Sequence, residues 1–391
     1  MIADQTYKKT VFMLICCLGI IAQASCTPKS NRFGIVFTNN FVDIYRIPDN
    51  TQSKIEQLTF TPTIGEYPIL VSKNGNEIIF EAGLTGISEE PSEPKIEERQ
   101  QHVYILNTSS KQILDITNIL VRYAMVPHEF SMDWSPDQKQ FVVLTDEVIG
   151  SEIRNFLEFV DFEGKNKNRV LIPNPDKISS VIQSVKWSPD GKKFLLKRGV
   201  IGFQQQLQNP GSAILIYELE RGNLIQLTTY QDDCFQEEWS PSSQQIVARC
   251  SSVSLHGSDD GISGPPTIRI FDIGNPGQPY EYIGFTPCYD PSWSPDGKQI
   301  AFICDKGTSQ KGLFIINSDG NGIREIRLDD FGKPAALKKP TWSPDGTQII
   351  YVAGTDTEHT NIYSINSNGS NNHSLTNQNA FYQIVSTYAL P

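Results

Sequence analysis

Four cysteines carry the clearest chemistry in this sequence. They form two pairs, and the members of each pair lie 16 residues apart, five residues before and eleven residues after a tryptophan. Two opposed thiols form a disulfide in an exported protein, whereas in a reducing compartment they remain a buried thiol pair. Four cysteines allow three pairings, and the spacing favours one of them: Cys234–Cys250 and Cys288–Cys304.

The register of a β-hairpin supports this pairing. If Ser294 pairs with Lys298 across a three-residue loop, Cys288 lies opposite Cys304, and the same count applies to the other pair. Directly opposed residues of antiparallel strands have Cα atoms about 4.5–5.5 Å apart, which is within the disulfide range. Ser243 replaces the turn glycine of the other hairpin, and a different turn there would shift its register.

Other groups that could act in catalysis or metal binding are scattered along the chain. Adjacent strand residues face opposite sides of a sheet, so Glu237 and Glu238 do not form a carboxylate pair, and we expect Asp259 and Asp260 in a solvated turn. No two histidines have the spacing of a local metal site, so we expect no metal or other cofactor, although histidines could still meet in space. The five histidines are His102, His128, His256, His359 and His373.

The N-terminus has the pattern of an export signal. Lys8 and Lys9 precede an apolar run over residues 11–22, and this run is too short to span a bilayer comfortably. Small residues follow the run, as signal peptidase requires. We therefore predict a signal peptide over residues 1–25 and an exported protein, periplasmic or extracellular.

Two interpretations of the signal's end remain open. Cys26 directly follows small residues, which makes it a candidate lipid anchor as the acylated first residue of a lipoprotein. Plain cleavage after Ala24 is the alternative, because Gln23 stands where the lipoprotein pattern usually has leucine. In either case residues 26–32 are predicted to be a short linker.

The elements that position the cysteines follow from a repeat. The phrase Trp-Ser-Pro, usually followed by Asp-Gly, occurs five times, and a degenerate sixth copy begins at Val71. Repetition at this period marks folds in which each unit buries its apolar face against its neighbours. Packing between such units is therefore the expected role of the tryptophans. They are Trp134, Trp187, Trp239, Trp293 and Trp342.

Each repeat unit is predicted to contain four short strands. Ser-Pro-Asp-Gly fits a type I turn whose glycine takes the left-handed conformation, which predicts a hairpin. A β-rich run such as residues 300–303 follows the turn, then a third strand such as 313–316 and a short fourth strand such as 225–228. Four antiparallel strands per unit are typical of one blade of a β-propeller. We call them A, B, C and D, with A before the turn.

The number of blades can be counted from the B strands, which we expect at seven places. Only six A strands precede a hairpin turn, and residues 382–386 at the C-terminus resemble the A strand at 67–71. We therefore predict an all-β, seven-bladed propeller over residues 33–391, with the ring closed by N- and C-terminal strands so that no sheet edge is left free. Six blades are the alternative if the N-terminal unit forms none of its own.

The repeat resembles the TolB-type β-propeller repeat, which is WD-repeat-like. The last copy resembles it most, with WSPDGTQIIYVAG followed by NIYSINSNGSNNHSLTNQNA, and the resemblance covers about residues 33–386. TolB itself carries an α/β domain before its propeller, which we do not expect here. Similar repeats precede the hydrolase domain of prolyl-oligopeptidase-like peptidases, but this chain has no Gly-x-Ser-x-Gly motif and we expect no such domain.

Three long B–C connections are predicted to share one face of the ring. They cover residues 83–101, 199–211 and 251–266, and loops over a rigid scaffold often bind partners. The second is the strongest candidate because it contains apolar residues among glutamines; solvated insertions are the alternative for the others. The candidate contact residues in it are Phe203, Gln204, Gln205 and Leu207.

Composition narrows the function. A net charge of −11 argues against nucleic acid and anionic membrane surfaces as partners. We expect a monomeric, non-catalytic scaffold that binds a protein or peptide in the cell envelope. A carbohydrate- or peptide-active lyase or hydrolase with its site at the central channel is one alternative, and a glycan-binding module is another. We find no basic patch with aromatic residues in the sequence.

Overall fold

The computed structural model contains seven four-stranded sheets. The predicted signal peptide and linker lie outside the residues it describes, apart from Arg32. It describes residues 32–39, 43–50, 54–60, 64–84, 102–117, 131–150, 152–161, 165–174, 180–200, 212–252, 265–282, 287–307, 310–328, 336–377 and 380–390.

The strands are short and follow one another in antiparallel pairs. In chain order they are β1 (Phe33–Asn39), β2 (Asp43–Ile47), β3 (Glu56–Gln57), β4 (Ile64–Val71), β5 (Glu77–Leu84), β6 (His102–Asn107), β7 (Ile113–Asp115), β8 (Met132–Trp134), β9 (Gln140–Ile149), β10 (Glu152–Asp161), β11 (Asn166–Leu171), β12 (Ser180–Trp187), β13 (Lys193–Val200), β14 (Ser212–Glu218), β15 (Asn223–Gln226), β16 (Asp232–Trp239), β17 (Gln245–Ser252), β18 (Thr267–Asp272), β19 (Tyr280–Tyr282), β20 (Cys288–Trp293), β21 (Gln299–Asp305), β22 (Lys311–Asn317), β23 (Arg324–Ile326), β24 (Ala336–Trp342), β25 (Gln348–Gly354), β26 (Thr360–Asn366), β27 (His373–Ser374) and β28 (Tyr382–Ala389).

Each sheet is one blade of a propeller. Blade 1 has the order β28-β1-β2-β3, and blades 2 to 7 each use four consecutive strands, from β4–β7 to β24–β27. The A strands contact one another around the axis, from β16 through β20, β24, β28, β4 and β8 to β12. The all-β, seven-bladed prediction is confirmed, and the six-bladed alternative is wrong. No helix within the described ranges is long and apolar enough to cross a bilayer.

The C-terminal strand closes the ring. Strand β28 pairs antiparallel with β1 from Phe33 opposite Ala389 to Asn39 opposite Tyr382, with one bulge. Blade 1 therefore takes its inner strand from one end of the chain and its other three strands from the opposite end. Closure of this kind removes the free sheet edge that an open ring would present.

The core lies between the blades. Each of the seven apolar clusters combines residues of two neighbouring blades, and each repeat tryptophan packs into the cluster it shares with the preceding blade. The indole N–H groups of Trp239, Trp293 and Trp342 also donate to backbone carbonyls of the preceding A strand, at 3.2, 3.3 and 3.1 Å. The tryptophans therefore join blades, as their position in the repeat predicts.

The hairpin turn differs from the prediction by one residue. The backbone N–H of Ser294 donates to the carbonyl of Gln299 at 2.8 Å, so the loop has four residues, and the predicted pairing of Ser294 with Lys298 is wrong. Ser243 adopts the same left-handed conformation as the glycines of the other turns, with φ of 59°. Its backbone N–H closes the same turn at 2.9 Å, so the substitution leaves the hairpin unchanged.

A bulge in the A strand restores the predicted cysteine pairing. Between Tyr289 and Ser292 the register shifts by one residue, and Cys288 then lies directly opposite Cys304. The same shift in blade 5 brings Cys234 opposite Cys250. The longer turn and the bulge therefore cancel.

Both predicted disulfides are present. Cys234–Cys250 and Cys288–Cys304 each join an A strand to the B strand of the same blade, with Cα atoms 4.1 Å apart. All four cysteines are fully buried. Disulfides form and persist in oxidising compartments, so these two bridges point to such a compartment for this protein.

Candidate functional site

One face of the ring gathers the starts of the A strands with the B–C and D–A connections. The long connections on this face fall mostly outside the described residues, at 85–101, 201–211 and 253–264. The predicted contact residues Phe203, Gln204, Gln205 and Leu207 lie in the second of these and stay a prediction. The described part of this face is formed by the first residues of the A strands, the last residues of the B strands and the first residues of the C strands.

Three successive A strands are bulged where they approach the axis. Gln236, Asp290 and Lys339 occupy the same place, three residues before the tryptophan, and have φ of 56°, 51° and 51°. The left-handed conformation is uncommon for residues other than glycine, and it persists where neighbouring contacts enforce it.

Side chains enforce it here by linking one blade to the next. The backbone N–H of Asp290 donates to Gln236 Oε1 at 2.9 Å, and the backbone N–H of Lys339 donates to Asp290 Oδ2 at 2.9 Å. A side-chain bond from Gln236 Nε2 to Asp290 Oδ1 completes the link. The axial ends of blades 5, 6 and 7 are therefore held in register with one another.

Cations and aromatic rings alternate beside these bulges. Lys197 Nζ lies 3.3 Å from the ring centroid of Phe235, and the guanidinium of Arg249 lies 5.9 Å from that centroid and 5.2 Å from that of Tyr289. Lys311 Nζ is also 5.2 Å from the Tyr289 centroid. Such distances are those of cation–π contacts.

The series continues across blade 7. Lys338 Nζ lies 4.6 Å from the ring centroid of Phe381, which immediately precedes β28. We call the whole set the mouth arc. It consists of Lys197, Phe235, Arg249, Tyr289, Lys311, Lys338 and Phe381.

The cations of the mouth arc differ from others nearby in their partners. Arg269 pairs with Asp232 at 2.7 Å and Lys306 with Glu325 at 2.6 Å. Across the described residues, Arg249, Lys311 and Lys338 form no such ion pair, and the buried Nε of Arg249 has no hydrogen-bond acceptor. Burial, together with the charge of Lys311, lowers the pKa of Lys338. The mouth arc thus holds four cations on an acidic protein, with the carboxylates of Asp290 beside Lys338 and of Asp305 beside Tyr289.

A second charged layer lies deeper along the axis. Asp133, Lys186 and Glu238 each stand one residue before a tryptophan, in blades 3, 4 and 5. Burial raises the pKa of Asp133 to about 6 and that of Glu238 to about 7, although the positive charge of Lys186 opposes both shifts. Both carboxyl groups therefore titrate near neutral pH.

These carboxyl groups are engaged in joining blades. The backbone N–H of Trp187 donates to Asp133 Oδ2 at 2.6 Å, and that of Trp134 donates to Oδ1 at 2.8 Å. The backbone N–H of Trp293, in blade 6, donates to the Glu238 carboxyl. Beside it, Ser184 donates to Glu237 Oε1 at 2.6 Å, and Lys186 Nζ donates to the carbonyl of Glu237. The layer has the groups for acid–base chemistry, but its observed contacts are those of a structural network.

Replacing Glu238 with glutamine should raise stability above neutral pH. A carboxyl whose pKa is higher in the folded state stabilises the fold below its unfolded pKa, and that contribution is lost as pH rises through the folded pKa of about 7. Because the side chain keeps some solvent contact, we expect a gain of about 1–2 kcal/mol at pH 8 and almost none at pH 4. Urea unfolding at both pH values measures it.

The Glu220→Gln variant is the control for this substitution, because it removes the same charge from an exposed turn between β14 and β15. If Glu238→Gln and Glu220→Gln raise the free energy of unfolding equally at pH 8, the destabilisation is not specific to the buried charge of Glu238. A gain for Glu238→Gln that is the same at pH 4 would contradict titration as its cause.

The histidines do not assemble a metal site in the described part of the chain. His102 lies 3.5 Å from Asp115, and His359 lies 2.8 Å from Asp356, in different blades. No group of three histidine, cysteine, aspartate or glutamate side chains there has a metal-binding arrangement. His128 and His256 fall outside the described residues.

Comparisons with known proteins show similarity in fold, and they come from solved structures. No protein-family model and no curated protein sequence matches the chain. Among solved structures, a prolyl endopeptidase is 13% identical with a TM-score of 0.59, covering 92% of this chain and 49% of its own. The tricorn protease is 10% identical with a TM-score of 0.53, covering 92% and 34%. TolB from Acinetobacter baumannii is 16% identical with a TM-score of 0.44, covering 94% and 84%.

The two similarities with a TM-score above 0.5 agree with the propeller fold described above. The chain spans about half the length of the prolyl endopeptidase and a third of the tricorn protease. At such identities the fold is what is shared, and function has to be argued from the residues of this chain.

The mouth arc was missed from the sequence. Its residues come from blades 4 to 7 and from the position just before β28, so they are far apart in the sequence. One signal was available: Lys197 and Arg249 each stand ten residues after a repeat tryptophan, and Phe235 and Tyr289 each stand four residues before one. Equivalent positions of neighbouring blades are adjacent in a propeller.

Proposed function

We propose that the protein is an exported, non-catalytic propeller that binds a protein partner in the cell envelope through the mouth arc. The observation that carries this proposal is the row of cations held against aromatic rings without ion-pair partners among the described residues. Cations that form no ion pair among the described residues favour a ligand that supplies a carboxylate.

The propeller architecture supports a binding role. Side chains bonded across blades 5, 6 and 7 fix the axial ends of the A strands, and a disulfide ties each A strand to its B strand in blades 5 and 6. A rigid frame of this kind lowers the cost of ordering side chains when a partner binds. It suits a scaffold that presents a preformed surface.

Export rests on separate observations. The two disulfides point to an oxidising compartment, and the N-terminal pattern is that of a signal peptide. In this proposal the mature protein is periplasmic or extracellular, and Cys26 is its candidate lipid anchor. The mass of the N-terminal peptide from purified membranes distinguishes an acylated Cys26 from a cleaved, unmodified terminus.

Removing two mouth cations should strongly reduce partner capture. After mild cross-linking in its own cell envelope, we expect the protein to recover a stoichiometric partner, and Arg249→Gln with Lys311→Gln to recover about tenfold less. Lys298→Gln is the matched control, because Lys298 is an exposed lysine on an A–B turn at the opposite face. Quantitative mass spectrometry of the captured proteins measures the ratio.

Two results would contradict the proposed function. Equal recovery of the partner by the double variant and by Lys298→Gln would place the interface elsewhere. Recovery of envelope polysaccharide in place of any protein would favour the glycan-binding alternative. Both variants should melt within a few degrees of the wild-type protein, since the ring contacts of Arg249 and Lys311 and the exposed pair of Lys298 with Asp296 each contribute little stability.

A further inference from the structure

We propose that the mouth arc binds an extended acidic segment of a protein, in which carboxylates alternate with uncharged residues. This inference rests on the proposed function and names the chemistry of the partner. Arg249, Lys311 and Lys338 supply the charge, and the rings of Phe235 and Tyr289 hold the cations and offer apolar contact.

Charge complementarity is the first argument. The protein has a net charge of −11, so an acidic segment is repelled by most of its surface. The mouth arc is the exception, because it gathers four cations beside two carboxylates, Asp290 and Asp305, and three of the cations form no ion pair in the described residues. A carboxylate placed at the mouth would supply the ion pair that these cations lack among the described residues.

The spacing of the cations is the second argument. Arg249 and Lys311 each lie 5.2 Å from the centroid of the Tyr289 ring, so their charges are separated by no more than twice that distance. On an extended peptide, side chains on the same face repeat every two residues, about 7 Å apart. This repeat lies within the limit set by the two distances, so alternate carboxylates of one strand can reach both cations while the residues between them face away.

The use of the aromatic rings is the third argument, and it favours a peptide over a glycan. A sugar-binding site offers an open aromatic face for the sugar ring. Here Lys197 Nζ covers Phe235 at 3.3 Å, and two cations approach Tyr289. Phe235 remains 37% exposed, which leaves room for an apolar contact beside a carboxylate.

The two disulfides hold the arc in place. Cys234 and Cys250 directly adjoin Phe235 and Arg249, which are themselves paired across the two strands. The second bridge adjoins Tyr289 in the same way. Both bridges lie just beyond the A-strand bulge, where the ladder is interrupted, and so fix the cations before the ligand arrives.

Binding of a defined peptide tests the inference. The probe is a fluorescein-labelled peptide of alternating glutamate and threonine, and fluorescence anisotropy measures its Kd for the disulfide-intact protein. We expect Arg249→Gln with Lys311→Gln to weaken binding by about tenfold or more, and Lys298→Gln to change it by less than about twofold. Raising NaCl from about 50 to about 300 mM should weaken wild-type binding as well.

A matched peptide and a polysaccharide complete the test. Replacing every glutamate of the probe with glutamine should remove binding. The inference is overturned if the glutamine peptide binds equally well, if the double variant binds the acidic peptide like wild type, or if polygalacturonate binds and the peptide does not. Its failure is distinct from failure of the proposed function: the double variant would still lose the envelope partner although the acidic peptide does not bind.

Discussion

Deleting residues 382–391 is expected to abolish cooperative folding of the ring. The deletion removes β28, which pairs with β1 along its whole length and is the inner strand of blade 1. Tyr382, Ile384 and Tyr388 are at most 5% exposed, and losing three such side chains costs more than about 8 kcal/mol. A typical protein has only about 5–15 kcal/mol of stability in total, so calorimetry should show no native transition.

A smaller change, the addition of one methyl group beside β28, tests the same ring closure. The Tyr388 ring lies against two glycines, and a Cβ added at Gly34 would meet it at 2.0 Å, at Gly75 at 2.5 Å. Because the ring is buried between blades 1 and 2, it cannot move aside, and Gly34→Ala should destabilise the protein by about 2–4 kcal/mol. The control is Gly277→Ala, where nothing lies within 4 Å. Equal melting temperatures for these two variants would contradict closure through β28.

Much of the architecture could be predicted because each copy of the repeat forms the same turn and the same contact between blades. The turn phrase places a hairpin, the tryptophan places a contact between blades, and counting B strands gives seven blades when the C-terminal strand is added. Local chemistry determines each of these features. Ser243 shows the limit of residue-type rules, since it takes the glycine conformation with φ of 59° because the surrounding hairpin requires it.

The disulfide pairing was predicted correctly although its register was not. The loop is one residue longer than expected, and the bulge between Tyr289 and Ser292 shifts the strands back by one. A turn can be inferred from four residues of sequence. The bulge cannot, because Asp290 is held left-handed by side chains and backbone of the neighbouring blades.

The candidate site depends on distances between blades, which a single repeat does not specify. Arg249 and Lys311 belong to different blades and become neighbours only through the Tyr289 ring. The charged layer of Asp133, Lys186 and Glu238 was hidden for the same reason. Each residue is ordinary in its own strand, and its pKa shift arises from burial within the ring.

Removing the two disulfides should produce the second large loss of stability. Each bridge closes a loop of 16 residues, for which chain entropy predicts about 3 kcal/mol. Replacing all four cysteines with serine should therefore cost about 6 kcal/mol, with an additional penalty for burying hydroxyl groups at fully buried positions. Urea unfolding of the oxidised protein and of each paired variant measures the loss.

Reduction provides the internal control. Dithiothreitol should destabilise the wild-type protein by a similar amount and leave the variant without these four cysteines unchanged. Mass spectrometry without reduction should show the peptides Cys234–Cys250 and Cys288–Cys304, and a cross-blade pair would contradict the structure.

The loss should also be local, because of where the bridges lie. The A–B ladder is interrupted by bulges after Phe235 and Tyr289, so in blades 5 and 6 a disulfide secures the strand ends beyond each bulge. Without them the segments that carry Phe235, Arg249 and Tyr289 can open while the outer strands stay paired. Hydrogen exchange in the paired variants should therefore rise first at residues 232–236 and 287–290. If hydrogen exchange instead becomes faster by the same factor in all seven blades, the disulfides stabilise the protein only by restricting the unfolded chain.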